Sequence, residues 1–129
     1  MKRPIKIKVN GTEHEILVNP WESLAEVLRE RLELTGLKVG CNTGNCGSCT
    51  VIMDGKAVKS CLVLAPQADG REILTIEGLA SDGKLHPMQK SFIEHFAIQC
   101  GYCTPGMIMT AVAILDENPD VDEMELKRL

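Results

Sequence analysis

Three cysteines of one short loop, Cys41, Cys46 and Cys49, stand in the spacing C-x4-C-x2-C, and Cys61 follows after eleven intervening residues. A C-x4-C-x2-C run with a distant fourth cysteine is the plant-type arrangement for a [2Fe–2S] cluster. Four thiolates must converge on two irons and two sulfides, so the loop has to wrap around the group, and Gly40, Gly44 and Gly47 permit that course. The same turns aim backbone N–H groups at the sulfurs, which offsets the anionic charge and tunes the reduction potential. An all-thiolate cluster leaves no coordination position for a substrate, so the chemistry implied is electron transfer. Structural zinc is the competing use of four thiols. It usually takes two C-x2-C pairs, and neither Cys41 nor Cys61 has such a partner. Cys61 on its own, in Ser60-Cys61-Leu62-Val63-Leu64, would read as a buried strand thiol. The loop trio makes it the fourth ligand.

Cys100-Gly101-Tyr102-Cys103 forms a second group. A dithiol redox motif places C-x-x-C between a strand and the helix it opens. Here the preceding residues are themselves helical in pattern, so the pair reads as half of a second metal site. His86 and His95 are nearby by sequence, but His86 reads as a helix-start residue and His95 as a packed core histidine. Met107 and Met109 read as core filling.

The elements around these groups are readable too. Ile5, Ile7 and Val9 alternate with lysines, Asn10-Gly11 is a turn signal, and Thr12 to Val18 alternates again, which predicts a hairpin. Asn19 as cap, Pro20 and Glu22 predict a helix running to about Leu32, with Trp21, Leu24, Val27, Leu28 and Leu32 on one stripe and Gly36 as the stop. Strands are expected at 50–53, 58–65 and 72–77. Beyond Gly78 the pattern turns helical. Pro87 opens a run with Met88, Phe92, Ile93 and Phe96 on its apolar face, and Thr104-Pro105 opens another through Leu115. A third start at Asp122, with Glu125 as its capping partner, is followed by so few residues that Leu129 reads as a truncated end.

With 129 residues the chain makes one small globular unit or two very small ones. A net charge of −4 without a basic stripe, and only four aromatic residues, argue against nucleic acid. The longest apolar stretch, 107–115, is too short to span a bilayer, and the N-terminus has no apolar leader. Six thiols without a secretory signal suggest a reducing compartment, hence a cytoplasmic location.

Taken in order, Cys41-x4-Cys46-Gly47-x-Cys49-Thr50-Val51, Cys61, Thr75-Ile76-Glu77-Gly78-Leu79, His86-Pro87-x-Gln89-x-x-Phe92 and Gln99-Cys100-Gly101-Tyr102-Cys103-Thr104-Pro105-Gly106-Met107 resemble the small iron–sulfur subunit of molybdenum hydroxylases. That family includes xanthine and aldehyde oxidoreductases and aerobic carbon monoxide dehydrogenase. The resemblance covers essentially the whole chain. It implies an α+β protein, with an N-terminal β-grasp [2Fe–2S] ferredoxin domain at 1–78 and a helical bundle [2Fe–2S]-binding domain, C-terminally incomplete, at 79–129. It assigns one cluster to Cys41, Cys46, Cys49 and Cys61, and a second to Cys100 and Cys103 with a later C-x-C pair that this sequence lacks. It implies that Gln99 hydrogen-bonds the pterin of the molybdenum cofactor. The expected partners are a large molybdopterin-binding subunit and a medium FAD-binding subunit, between which this chain relays electrons. A freestanding ferredoxin is the alternative, and it leaves residues 79–129 without a task. A zinc-stabilised interaction module is a third reading.

Overall fold

The computed structural model describes residues 2–124, and the predicted capping partner Glu125 lies outside them. Strand β1 (Arg3–Val9) and strand β2 (Thr12–Val18) form the expected hairpin, paired from Arg3 against Val18 to Val9 against Thr12. Asn10 takes the left-handed conformation at its turn with φ +51°. Strands β3 (Thr50–Met53) and β4 (Lys56–Lys59) make a second hairpin, and β5 (Glu72–Leu74) joins the two. The sheet order is β2-β1-β5-β3-β4. β5 runs parallel to β1 and antiparallel to β3. This is a mixed sheet whose central strand comes late in the sequence, so neither hairpin is positioned until β5 is in place.

One face of the sheet carries the main core. Ile5, Ile7, Val9, Val51 and Ile73 meet Leu24, Val27 and Leu28 there, all of them buried. Those last three belong to helix α1, Leu24–Glu26, which continues as a wider π-helical turn over Val27–Arg31. The helix therefore starts later than the sequence pattern predicts. Ser23 is its cap, its Oγ accepting from Glu26 N–H at 3.1 Å. Glu22 does reach back to the Asn19 N–H at 2.8 Å, but it closes a separate turn over 19–22. Trp21 is consequently 69% exposed and does not belong to the stripe. Gly36 does not end the helix either. Glu33 takes the left-handed position with φ +58°, and Gly36 is needed because a Cβ there would overlap the Ile76 side chain.

The strand expected at 58–65 ends at Lys59. Residues 60–64 form a turn, and Ala65–Ala68 form one turn of 3-10 helix. This path is fixed by backbone bonds to the start of α1, with Leu24 N–H donating to Val63 O and Ala65 N–H to Glu22 O, both at 2.7 Å. Cys61 thus sits in a turn that lies against the head of the helix.

In the second half, α2 (Pro87–Glu94) and α3 (Thr104–Glu117) start where the sequence places them. His86 caps α2, its Nδ1 accepting from Met88 N–H at 3.0 Å while Gln89 accepts from the His86 N–H. α3 lies on the sheet face opposite α1, with Ile108, Met109, Val112 and Ala113 packed around Ile52 of β3. Val51 and Ile52 point to opposite faces, as adjacent strand residues must, and so anchor the two cores. Met88 and Phe92 pack onto this second cluster. Ile93 and Phe96 do not, being 54% and 90% exposed. His95 is exposed, contrary to its core assignment, and its Nδ1 lies 2.9 Å from Ser91 O. Of the two methionines expected in the core, Met109 is fully buried and Met107 is 43% exposed.

Candidate metal centre

The loop from Gly40 to Cys49 connects the end of the α1 region to β3 and contains no regular structure. Its course depends on left-handed residues, Asn42 at φ +57°, Gly44 at +83° and Gly47 at +76°. Gly40 has a different role. A Cβ there would lie 3.0 Å from Cys46 Sγ, so the missing side chain makes room for the sulfur.

Curling the loop turns its amides inward. Cys41 Sγ accepts from the N–H groups of Thr43 at 3.4 Å, Asn45 at 3.3 Å and Cys46 at 3.3 Å. Donors clustered on a sulfur favour its thiolate. The Thr43 hydroxyl is the largest influence on Cys41, followed by these amides, and together they hold its pKa down to about 5. Cys46 is also held below the ordinary thiol value, first by the Ser48 hydroxyl and then by the Ser48 and Cys41 amides. Cys61 moves the other way. Burial pushes its thiol up, as does the neighbouring Cys49, against a bond from the Gly44 amide that favours the thiolate.

The Cys46 N–H donates to Cys41 Sγ, and Cys61 packs against the core cluster that contains Cys49. Among the described residues, no three His, Cys, Asp or Glu side chains converge closely enough to hold a single metal ion. Two irons take two thiolates each, a number that the three thiols of the loop and Cys61 of the 60–64 turn can supply. The donors facing the sulfurs suit the charge such a group would carry. Exposure is graded across the set, Cys49 being buried, Cys41 and Cys61 half-buried and Cys46 exposed.

The thiol order leads to a direct test on cluster-free protein. A lowered pKa puts the reactive thiolate in place at neutral pH, whereas a raised one delays it. Alkylation of Cys41 by iodoacetamide should therefore be rapid at pH 7 and level off above about pH 6, while Cys61 should react more slowly than Cys41 and still accelerate beyond pH 9. Peptide mass mapping against pH reads both profiles.

Cys100 and Cys103 are both exposed, as is Gln99. Cys103 precedes the first residue of α3 and borders an apolar groove of about 360 Å³ along α2 and α3 that Cys46 also borders. Tyr102 holds this second turn against the first loop, its hydroxyl donating to Val39 O at 2.8 Å. The helix that follows comes closer still. A Cβ on Gly106 would overlap the Gly47 carbonyl oxygen and stand 2.8 Å from Ser48 Cα. The two cysteine groups are thus brought side by side by Tyr102 and Gly106. Neither residue has a local sequence signal for this contact, and the same holds for Ser48 beside Cys46.

Residues 7–75 match the family described as "2Fe-2S iron-sulfur cluster binding domain", and residues 75–129 match the "[2Fe-2S] binding domain" family. The chain belongs to the [2Fe–2S] cluster-binding proteins. Within that family it is 49% identical over 125 residues to the nicotinate dehydrogenase small FeS subunit of Eubacterium barkeri, covering 97% of this chain and 80% of that protein. It is 49% identical over 122 residues to the nicotine 6-hydroxylase small subunit of Paenarthrobacter nicotinovorans, covering 95% of this chain and 73% of that one. The crystal structure of quinoline 2-oxidoreductase from Pseudomonas putida 86 superposes on 98% of this chain and 78% of the solved one, with a TM-score of 0.95 at 46% identity. The α+β architecture read from the sequence is therefore that of a [2Fe–2S] protein with two cluster-binding families in series.

Proposed function

We propose that this chain is the electron-relay small subunit of a molybdopterin-dependent hydroxylase, with Cys41, Cys46, Cys49 and Cys61 as the ligands of its first cluster. The observation that carries the reading is the glycine-rich thiol loop whose backbone N–H groups of Thr43, Asn45 and Cys46 all donate to Cys41 Sγ. Bound there, a [2Fe–2S] cluster supplies one-electron storage and transfer. The chain's own residues do the rest. The amides of the loop offset negative charge on the sulfurs, the fold of β3 and the 60–64 turn holds Cys49 beside Cys61, and Leu62 and Leu64 keep a largely apolar surface at that edge, 60% and 44% exposed.

Cys100 and Cys103 form half of a second ligand set in this reading, and Gln99, exposed next to Cys100, would hydrogen-bond the pterin of a partner. The domains in this reading are 1–78 and 79–129, a division beside the helical turn at Ile76–Gly78. The partners are a large molybdopterin-binding subunit and a medium FAD-binding subunit, and the location is cytoplasmic, without membrane insertion. No described helix is long and apolar enough to cross a membrane. The relatives are named for nicotinate, nicotine and quinoline while differing little in their identity to this chain, which supports placing substrate choice in the other subunits.

Purification from the native source under gentle conditions tests the subunit reading. This chain should emerge with two larger chains, one carrying molybdenum and one carrying flavin. A cluster-loaded chain that elutes alone at every salt concentration would identify it as a freestanding ferredoxin instead.

A further inference from the structure

Ser48 is a buried side chain whose hydroxyl lies within hydrogen-bond distance of a ligand sulfur and of two backbone groups. It is 3% exposed. Its Oγ accepts from Gly40 N–H at 3.1 Å, donates to Lys38 O at 3.0 Å, and lies 3.1 Å from Cys46 Sγ. A hydroxyl has one proton and two lone pairs. Gly40 occupies one lone pair. With a protonated Cys46, the thiol can use the other and the Ser48 proton can stay on Lys38. A ligating Cys46 has no proton to give, so at the same separation the sulfur is only an acceptor. The single hydroxyl proton is then claimed by two acceptors, Lys38 O and Cys46 Sγ.

We propose that Ser48 is a positioning residue whose hydroxyl donates to Cys46 Sγ and thereby sets how readily the first cluster site accepts an electron. The inference rests on Cys46 being a ligand. Hydrogen bonds to charged acceptors are about twice as strong as neutral ones, so the pull of the sulfur grows with its negative charge while that of the Lys38 carbonyl stays constant. On reduction by one electron from the molybdenum centre of the large subunit, no covalent bond would break, and the proton would stay on Ser48 while its hydrogen bond turns toward sulfur. The reduced state gains more than the oxidised state. Burial sharpens the effect, because water cannot replace the lost donor and the local dielectric is low. The cover comes from α3, whose Gly106 lets the helix rest on Gly47 and Ser48. Thr43, the other hydroxyl beside a ligand sulfur, is exposed and has water as a substitute.

Two matched pairs in the full enzyme isolate the hydroxyl: wild type against Ser48→Ala, and Ser48→Thr against Ser48→Val. The Ser48 amide, which also faces Cys46, is present in all four. A redox titration followed by low-temperature EPR should show the reduced-to-oxidised ratio of the first cluster at a fixed potential falling about tenfold in each step that removes the hydroxyl, which is 59 mV for a one-electron couple. Pulsed EPR in H2O compared with D2O should reveal one strongly coupled exchangeable proton in wild type and Thr that is missing from Ala and Val. Iron-loaded Ala or Val variants with an unmoved midpoint would overturn the proposal, as would an unchanged proton coupling. Should Cys46→Ser leave the wild-type EPR signal intact, Cys46 is no ligand, and the reading beneath the proposal fails along with it.

Discussion

In the assembled enzyme, Cys49→Ser should remove the first cluster and lower turnover with the natural electron acceptor by more than ~100-fold, beyond the loss usual when an outer hydrogen-bond partner of a metal site is removed. Turnover with an artificial acceptor that takes electrons at the molybdenum centre should stay within about twofold of wild type, because on this account no residue of this chain touches substrate. The substitution is chosen for its geometry. Cys49 is 2% exposed and forms part of the main core, and Ser60 Oγ donates to its carbonyl at 2.7 Å. Serine keeps the volume and the backbone bond, so the fold survives while one thiolate of the ligand set is lost. Wild-type turnover with the natural acceptor would show that electrons do not pass through this site.

Gly106→Ala should have the largest structural effect of the Gly→Ala changes in this chain. Its neighbours are backbone atoms of Gly47 and Ser48, which cannot swing aside as a flexible side chain can. Either α3 lifts from the loop or the loop leaves its ligand geometry. Overpacking of this kind costs about 1–3 kcal/mol. At this chain size each kcal/mol is worth about 4 °C in Tm, so a drop of about 4–12 °C is expected by calorimetry, with visible absorption lost in parallel. Gly83→Ala is the control. A Cβ there meets nothing within 4 Å, although its φ of +74° carries its own strain. An alanine at 106 that melts with the wild type and keeps its colour would mean that α3 does not clamp the loop.

Local signals found the irregular loop and the first hairpin well. The C-x4-C-x2-C spacing, the glycines of the loop and the Asn10-Gly11 turn are short-range features, and the structure follows them. The helix starts at Pro87 and Thr104 were legible for the same reason, since a proline and the residues beside it fix the first turn. Where the reading failed, distant backbone decided the outcome. Residues 22–24 look like helix in isolation, but their amides and carbonyls bond to residues 63–65, and the helix begins only after that contact. That leaves Trp21 outside the stripe. The same contact ends the expected strand early and puts Cys61 in a turn. Phe96 and His95 were misplaced for another reason. They stand at the end of a two-turn helix, where the apolar face has run past its neighbours. The contributions of Ser48, Tyr102 and Gly106 come from residues far apart in sequence meeting at the ligand loop, which no spacing rule records.

The central claim is that four thiols of this chain hold a two-iron, electron-accepting group. Iron and sulfide analysis of anaerobically purified protein, combined with low-temperature EPR before and after dithionite, tests it most directly. The account predicts about two irons and two sulfides at the first ligand set, no signal when oxidised, and a signal on one-electron reduction that Cys41→Ser abolishes. A colourless protein containing zinc, or an iron signal indifferent to loss of Cys41, would contradict it.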